Sequence, residues 1–368
     1  MGHILLSFLF FNIILFIIYR HYRRGRYYIN KSDLALYTIM LIAFGTYGSG
    51  EGDYLQYKEN VSLFHSLIDV YYYDGMEIHY NYLAYLLDGN YNLWRLVVYS
   101  IQFIGMSWFL YKSKLNTYPI FICFISLCLV LSVYNRAFWG AIYFFMGTYL
   151  LIEKKNPLFI IAVALCYVSH TQNLVLLVLF PLAFFDIKKW HLLLVLLLVG
   201  TIVTMIKDTF ISIIDAGGIE NADYVNRKMN VYSQSELGNF GNSLGEFLLA
   251  MLRYVPLTII SLSCVNTILR KREKYVLFYK PYRRILNVTL GVVITSIVVL
   301  LASLGGGTFF YRIVAMTFFP FSIILPYMMN IGIITKKSFN RYIFLFLFAT
   351  EYSYVKDVYY AYAHGMGF

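Results

Sequence analysis

Charge is scarce in this 368-residue chain. Only 13% of its residues are charged, 60% are apolar, and mean hydropathy is +0.64. A soluble domain has about a quarter of its residues charged, so this balance excludes an ordinary water-soluble fold. Acidic residues are the scarcer class, 19 against 30 Lys and Arg, for a net charge of +11. The excess does not point to nucleic acid, because the basic residues lie in short clusters between apolar runs. Cysteine is scarce too. Cys123, Cys128, Cys166 and Cys264 all fall inside apolar segments, without metal-type spacing and without loop pairs. That excludes a zinc module and a disulfide framework and leaves four small core residues. The carboxylates show no coordination spacing either, so neither metal nor cofactor is expected.

What the chain has instead is a series of apolar runs close to the length of a bilayer crossing. They run roughly over 3–19, 34–49, 94–111, 117–134, 137–152, 157–169 with 171–185, 190–206, 245–265, 285–303, 309–333 and 341–360. The reading is an all-α polytopic membrane protein of about 11–12 transmembrane or re-entrant helices, folded as one integral membrane domain over 1–368. Basic clusters punctuate the runs at Arg20 to Lys31, Lys112 and Lys114, Lys154 and Lys155, Lys188 and Lys189, Arg270 to Arg284, and Lys336, Lys337 and Arg341. The positive-inside rule puts these on the cytoplasmic face. The first run precedes its arginines, the reverse of a cleaved signal peptide, and predicts a retained span with its N-terminus outside. Between Lys155 and Lys188 both ends are cytoplasmic, which predicts a membrane hairpin with His170 at its apex.

Two long segments then fall outside, about 50–93 and 207–244. The first carries Glu51, Asp53, Glu59, Asp69, Asp74, Glu77 and Asp88 against Lys58 alone, with many tyrosines. The second carries Asp208, Asp215, Glu220, Asp223 and Glu236. Inside, the basic loop about 266–284 suits anionic lipid. The working face is therefore the outer one, where the loops hold carboxylates. Loop tyrosines, Tyr54 and Tyr57 among them, suit stacking on sugar rings.

Arg136 stands out. It bears the only charge between Lys114 and Glu153 and joins two apolar runs. An arginine at membrane depth is costly unless paired, hydrated or interfacial, and its fixed donor fork fits phosphate. An interfacial arginine satisfied by carbonyls and headgroups is the competing reading. The topology adds His170 at the hairpin apex, Arg312 after Ser303-Leu304-Gly305-Gly306-Gly307-Thr308, and Arg253 about two turns into its span. Several cations converging from one side favour a polyanion site.

Asp53-Tyr54-Leu55-Gln56-Tyr57 resembles the Asp-Tyr-x-x-Tyr pattern of the EpsG family of polysaccharide-biosynthesis membrane proteins. Met76-Glu77-Ile78-His79-Tyr80 is similar to that family's Glu-Pro-Gly-Phe/Tyr segment, with Ile78 and His79 in place of Pro-Gly. Arg136 with Ala137, Gly140 and Ala141, Ser169-His170-Thr171, and Tyr311-Arg312-Ile313 resemble further family elements in order. The resemblance implies a fold like the glycosyltransferase C superfamily and a Wzy-type polymerase. Such an enzyme joins undecaprenyl-diphosphate-linked oligosaccharides at the outer face of the bacterial inner membrane. For that reaction the candidates are Arg136 and Arg312 on the diphosphate, with Arg253 added from the topology alone, and Asp53, Glu77 or His170 as proton acceptor. A flippase and a chain-length regulator are implied partners, and nucleic acid is not one. Another outer-face lipid-linked glycosyltransferase or O-antigen ligase, a flippase and a membrane acyltransferase are the alternatives; no internal repeat supports a transporter.

The topology is testable by cysteine labelling in a background lacking the four native cysteines. Cysteines within 50–93 and 207–244 should react with an impermeant maleimide in intact cells. Reaction at 270–284 in those cells overturns the orientation.

Overall fold

The computed structural model describes residues 2–47, 53–72, 78–134, 136–154, 157–170, 173–184, 198, 280–303, 313 and 315–363. Among these residues the regular structure is helical, apart from one isolated bridge between Tyr28 and Thr117. The helices are α1 (Gly2–Arg23), α2 (Lys31–Tyr47), α3 (Asp53–Ser62), α4 (Leu67–Tyr72), α5 (Ile78–Leu86), α6 (Tyr91–Lys112), α7 (Tyr118–Tyr134), α8 (Arg136–Lys154), α9 (Leu158–Ser169) and α10 (Leu174–Leu179). After α10 comes a 3₁₀ turn, Phe180–Phe184, and then α11 (Lys280–Ser303), α12 (Phe318–Asn330) and α13 (Lys336–Ala363). The expected runs 190–206 and 245–265, the second outer loop and the basic loop lie outside the described residues.

The chain divides into two compact units. One comprises Met1–Met146, Ile160–Asn173 and Phe321–Phe368; the other comprises Gly147–Phe159 and Leu174–Pro320. In the second, α10 and the 3₁₀ turn pack on α11, where Gly291 lies so close to Leu182 that a Cβ would collide with it.

Helix ends follow local chemistry. Asn90 caps α6 by accepting from the Leu93 amide at 3.1 Å, and the Ser113 amide returns to the Phe109 carbonyl at the other end. Ser66 and Asp69 cap α4 reciprocally: Asp69 Oδ2 accepts from the Ser66 amide at 2.8 Å, and Ser66 Oγ accepts from the Asp69 amide at 3.4 Å. Thr335 Oγ1 accepts from the Ser338 amide at 3.1 Å at the start of α13.

In the first unit, α2 and α6 pack together. Thr38 and Ser107 hydroxyls bond at 2.7 Å across that pair, and α1 lies against α2 and α7. At one end the basic turns lace together. The Ile29 amide donates to the Asn116 carbonyl at 2.8 Å, the Tyr118 amide donates to the Tyr27 carbonyl at 2.9 Å, and His21 stacks on Tyr118 at 5.6 Å. Two of the basic clusters therefore share one end of the first unit.

Length and composition make α6 able to cross a bilayer; shorter apolar helices among the described residues are Tyr118–Cys128, Phe159–Ser169, Val175–Phe184 and Phe318–Asn330. The outward faces are apolar as well. Leu6, Leu9, Ile13 and Phe16 form an exposed stripe on α1, and Leu96, Ile101, Ile104 and Trp108 form one on α6. Phe344 on α13 is 68% exposed. Contiguous exposed apolar stripes of this extent are unusual on a water-soluble monomer.

The segment 50–93, expected as an outer loop, holds three helices and a core of its own. Val61, Phe64, Val70, Tyr80, Ala84, Tyr91, Trp94 and Val98 are buried together. Each such side chain contributes about 1.5–3 kcal/mol when fully buried. Asp88 and Gly89, both at positive φ, end α5, and the Gly89 amide returns to the Ala84 carbonyl at 3.0 Å.

Gly140 on α8 is the tightest approach in the first unit. A Cβ there would collide with the Asn173 amide and lie 2.8 Å from the Cys166 carbonyl oxygen. Gly140→Ala should therefore cost about 1–3 kcal/mol by overpacking, read as a lower melting temperature in detergent. Gly105→Ala on α6, where a Cβ would meet nothing within 4 Å, should be neutral or stabilising. Equal melting temperatures for the two variants would refute the Gly140 contact.

Candidate functional site

Arg136 is the first residue of α8 and half-buried. Its Nε donates to the Tyr57 hydroxyl at 3.0 Å, and its guanidinium carbon lies 5.0 Å from the Tyr57 ring centre and 5.9 Å from that of Tyr80. Tyr57 comes from α3 and Tyr80 from α5. The acidic segment 50–93 thus folds back so that two of its aromatics meet the head of α8. A guanidinium held against aromatic faces gains about 0.5–2 kcal/mol per contact.

Each partner is fixed in turn. Trp94 on α6 donates its indole N–H to the Tyr80 carbonyl at 3.1 Å and lies 5.8 Å from the Tyr80 ring. On α8, Trp139 is buried and meets Phe103 of α6 edge-on at 5.1 Å. Arg95 secures α6 itself. It is 3% exposed, donates to the Gly45 carbonyl of α2 at 2.5 Å, and lies 5.6 and 5.8 Å from the Tyr91 and Tyr99 rings. Gly45 is required there, since a Cβ would lie 2.7 Å from the Tyr99 ring.

His79 was expected only as a replacement for Pro-Gly, yet it is part of this cluster. Its ring sits 4.0 Å from that of Tyr80, and its Nδ1 is shut off from solvent with no hydrogen-bond partner among the described residues. Burial, and then the Arg136 charge, hold its pKa down to about 4. His79 is therefore neutral at physiological pH, with a ring nitrogen able to exchange a hydrogen bond with a ligand. Sequence reasoning missed Arg95; the signal that could have found it is a charge at the start of an apolar run flanked by Tyr91, Trp94 and Tyr99. His79 left no comparable signal in the sequence.

His170 follows α9, and its carbonyl accepts from the Asn173 amide at 3.0 Å. Asn173 is fully buried against Gly140 and donates to the Cys166 carbonyl at 3.0 Å. Because Gly140 lies one turn beyond Arg136, this contact seats the turn carrying His170 on the same end of α8. The small residues behind Arg136 thus have a physical reason. α9 is 12 residues long, about 18 Å, which is short of a full crossing.

Asp53 and Tyr54 open α3, with Asp53 one turn before Tyr57. Their side chains, and Glu77, Arg253 and Arg312 altogether, lie outside the described residues. Asp69 and Asp88 serve the local fold: Asp69 caps α4, and Asp88 pairs with exposed His65 at 3.0 Å. Among the described residues no group of three or more His, Cys, Asp or Glu is placed to hold a metal ion.

The profile of the EpsG family matches residues 33–366, nearly the whole chain. The chain belongs to the EpsG family. This is a family of Wzy-type polysaccharide polymerases and membrane proteins. No curated protein and no solved structure matches the chain. Membership makes it a membrane protein of polysaccharide biosynthesis, with glycosyltransferase-like polymerase activity in general terms and lipid-linked oligosaccharides as its general substrate class. The matched range spans α2 to α13 and therefore includes Tyr57, His79, Arg136 and His170.

The low pKa of His79 has a direct consequence. The unfolded chain binds a proton at His79 near pH 6.5, whereas the folded chain does so only near pH 4. Stability from this site is complete above about pH 6.5 and is lost as pH falls towards 4. His79→Gln should flatten the fall in melting temperature between pH 7 and pH 4.5. Arg136→Gln should raise the His79 pKa in a histidine NMR titration; an unchanged value would show that the two residues are not coupled.

Proposed function

We propose that this EpsG-family member is a multi-pass inner-membrane polymerase that joins undecaprenyl-diphosphate-linked repeat units at the outer face. The observation that carries the reading is the Arg136 guanidinium, set at the head of α8 by Tyr57 and Tyr80. The exposed apolar stripes on α1, α6 and α13 support the multi-pass part, and the glycosyltransferase C-like fold belongs to the same reading.

The chemistry suits such a site. The hydroxyl at the non-reducing end of an incoming unit attacks the anomeric carbon of the growing chain. The bond from that carbon to the diphosphate oxygen breaks, and its electron pair leaves with the undecaprenyl diphosphate. The attacking hydroxyl gives up its proton to a base, for which Asp53, Glu77 and His170 are the candidates. The bond that breaks supplies the activation, so no nucleotide is consumed. Negative charge grows on the leaving diphosphate as the bond lengthens. A preorganised guanidinium then stabilises the transition state more than the ground state. Arg312 and Arg253 join Arg136 in this proposal. Tyr54 and Tyr57 face the sugar, and neutral His79 accepts a hydroxyl hydrogen bond without competing for the proton. A flippase delivers the units, and a chain-length regulator is an expected partner.

Arg136→Ala should abolish long-chain glycan while the protein remains at normal abundance in the membrane. A charge-assisted contact of this kind is worth roughly 3–4 kcal/mol, or two to three orders of magnitude in rate. Arg136→Lys keeps the charge without the fork and should be impaired as well. The assay is glycan laddering in a strain carrying each variant. Wild-type ladders from Arg136→Ala would remove Arg136 from the diphosphate role.

A further inference from the structure

A second cationic feature lies away from Arg136, where the end of α1 meets the start of α13. There a groove of about 770 Å³ is lined by Arg23, Lys336, Lys337 and Arg341, with Phe344 and Leu345 continuing it along α13. The four cationic residues are exposed, and among the described residues no carboxylate lines the groove. Among the described residues the ion pairs are Arg26–Asp33 and His65–Asp88, so none of the four is engaged in one. Lys336 is placed by its contact over the Tyr22 ring, 5.3 Å from ammonium to centroid.

The groove is graded along the helix. Arg341 and Leu345 lie one turn apart, and Lys337 and Phe344 two turns apart, which sets the apolar part about 6–10 Å beyond the cations. Phe344 is 68% exposed. A soluble anion would use the cations and leave the exposed ring unexplained. A phospholipid uses both, with its phosphate among the cations and an acyl chain along the ring. The basic turns laced together at this end are those the positive-inside rule assigns to the cytoplasm, where the leaflet is anionic.

We infer that the groove between α1 and α13 is a binding site for an anionic phospholipid of the cytoplasmic leaflet, its phosphate held by Arg23, Lys336, Lys337 and Arg341 and a chain lying on Phe344. The inference rests on α1 and α13 crossing the bilayer, though not on the Arg136 chemistry. A cysteine at Ser338 tests that orientation separately: it should react with an impermeant maleimide in inside-out vesicles and not in intact cells.

The site itself is tested on the full chain purified in detergent, titrated with phosphatidylglycerol and with phosphatidylcholine while bound lipid is counted by native mass spectrometry. Phosphatidylglycerol should be retained at concentrations where phosphatidylcholine is not. Lys336→Gln, Lys337→Gln and Arg341→Gln combined should weaken it roughly a hundredfold, at about fivefold per cation. Lys112→Gln with Lys114→Gln, outside the groove, should change little. Phe344→Ser should weaken the lipid severalfold and leave glycerol 3-phosphate unaffected. Wild-type retention by the triple variant overturns the site. Equal retention of phosphatidylcholine, or glycerol 3-phosphate binding as tightly as the lipid, overturns its assignment to an anionic phospholipid.

Discussion

The structure of the first unit depends on holding a permanent positive charge at the edge of an apolar helix. A guanidinium keeps its proton at any physiological pH and is costly to bury. The chain meets this cost with aromatic groups. Tyr57 offers Arg136 a hydroxyl and a ring, and Tyr80 offers a second ring. Those rings are useful only where they are fixed. α3 and α5 must therefore fold, Trp94 must hold Tyr80, and α6 must hold Trp94. Arg95 repeats the device one layer down, where a buried guanidinium clasps the Gly45 carbonyl between two tyrosine rings.

Tyr57, Tyr80, Tyr91 and Tyr99 thus have a role that a lipid-interface belt does not supply. Tyrosine has an apolar body that packs in a core and a polar tip that meets a charge. Tyr80, Tyr91 and Tyr99 are all buried, and all take part in contacts around an arginine. Phenylalanine would supply the ring without the hydroxyl that receives the Arg136 Nε–H.

Much of the helical plan was legible because apolar runs end at chemically obvious places. α6, α7 and α8 lie within a few residues of the expected 94–111, 117–134 and 137–152. α12 is shorter than the expected run 309–333, and α13 is longer than 341–360 because Thr335 caps it before the apolar residues begin. The segment 50–93 was harder to read. Its tyrosines and carboxylates look like a loop, but Val61, Phe64, Val70 and Ala84 supply a small core that only three-dimensional packing completes. Arg136 was legible from its isolation, and Gly140 only from the small-residue pattern behind it; the reason, Asn173, lies more than thirty residues away in sequence. Arg95 was hidden by its place near a helix start, where an arginine ordinarily reaches outward to headgroups. His79 was hidden because no local rule makes a histidine beside a tyrosine neutral. That follows from burial and from a charge contributed by another helix.

The placement of Arg136 within α8 carries the last step. A helix N-terminus already bears partial positive charge, and a cation there is unfavourable by about 0.3–1 kcal/mol. A chain needing only an anchor would gain by setting its arginine at the other end of a helix. Here the guanidinium and the first amides of α8 add their potentials in one spot, and that potential helps to keep His79 neutral. Tyrosine rings hold the guanidinium in position. Under the proposed function, an anion arriving at this spot meets both potentials at once. In that proposal the attraction is greatest as negative charge grows on the departing diphosphate.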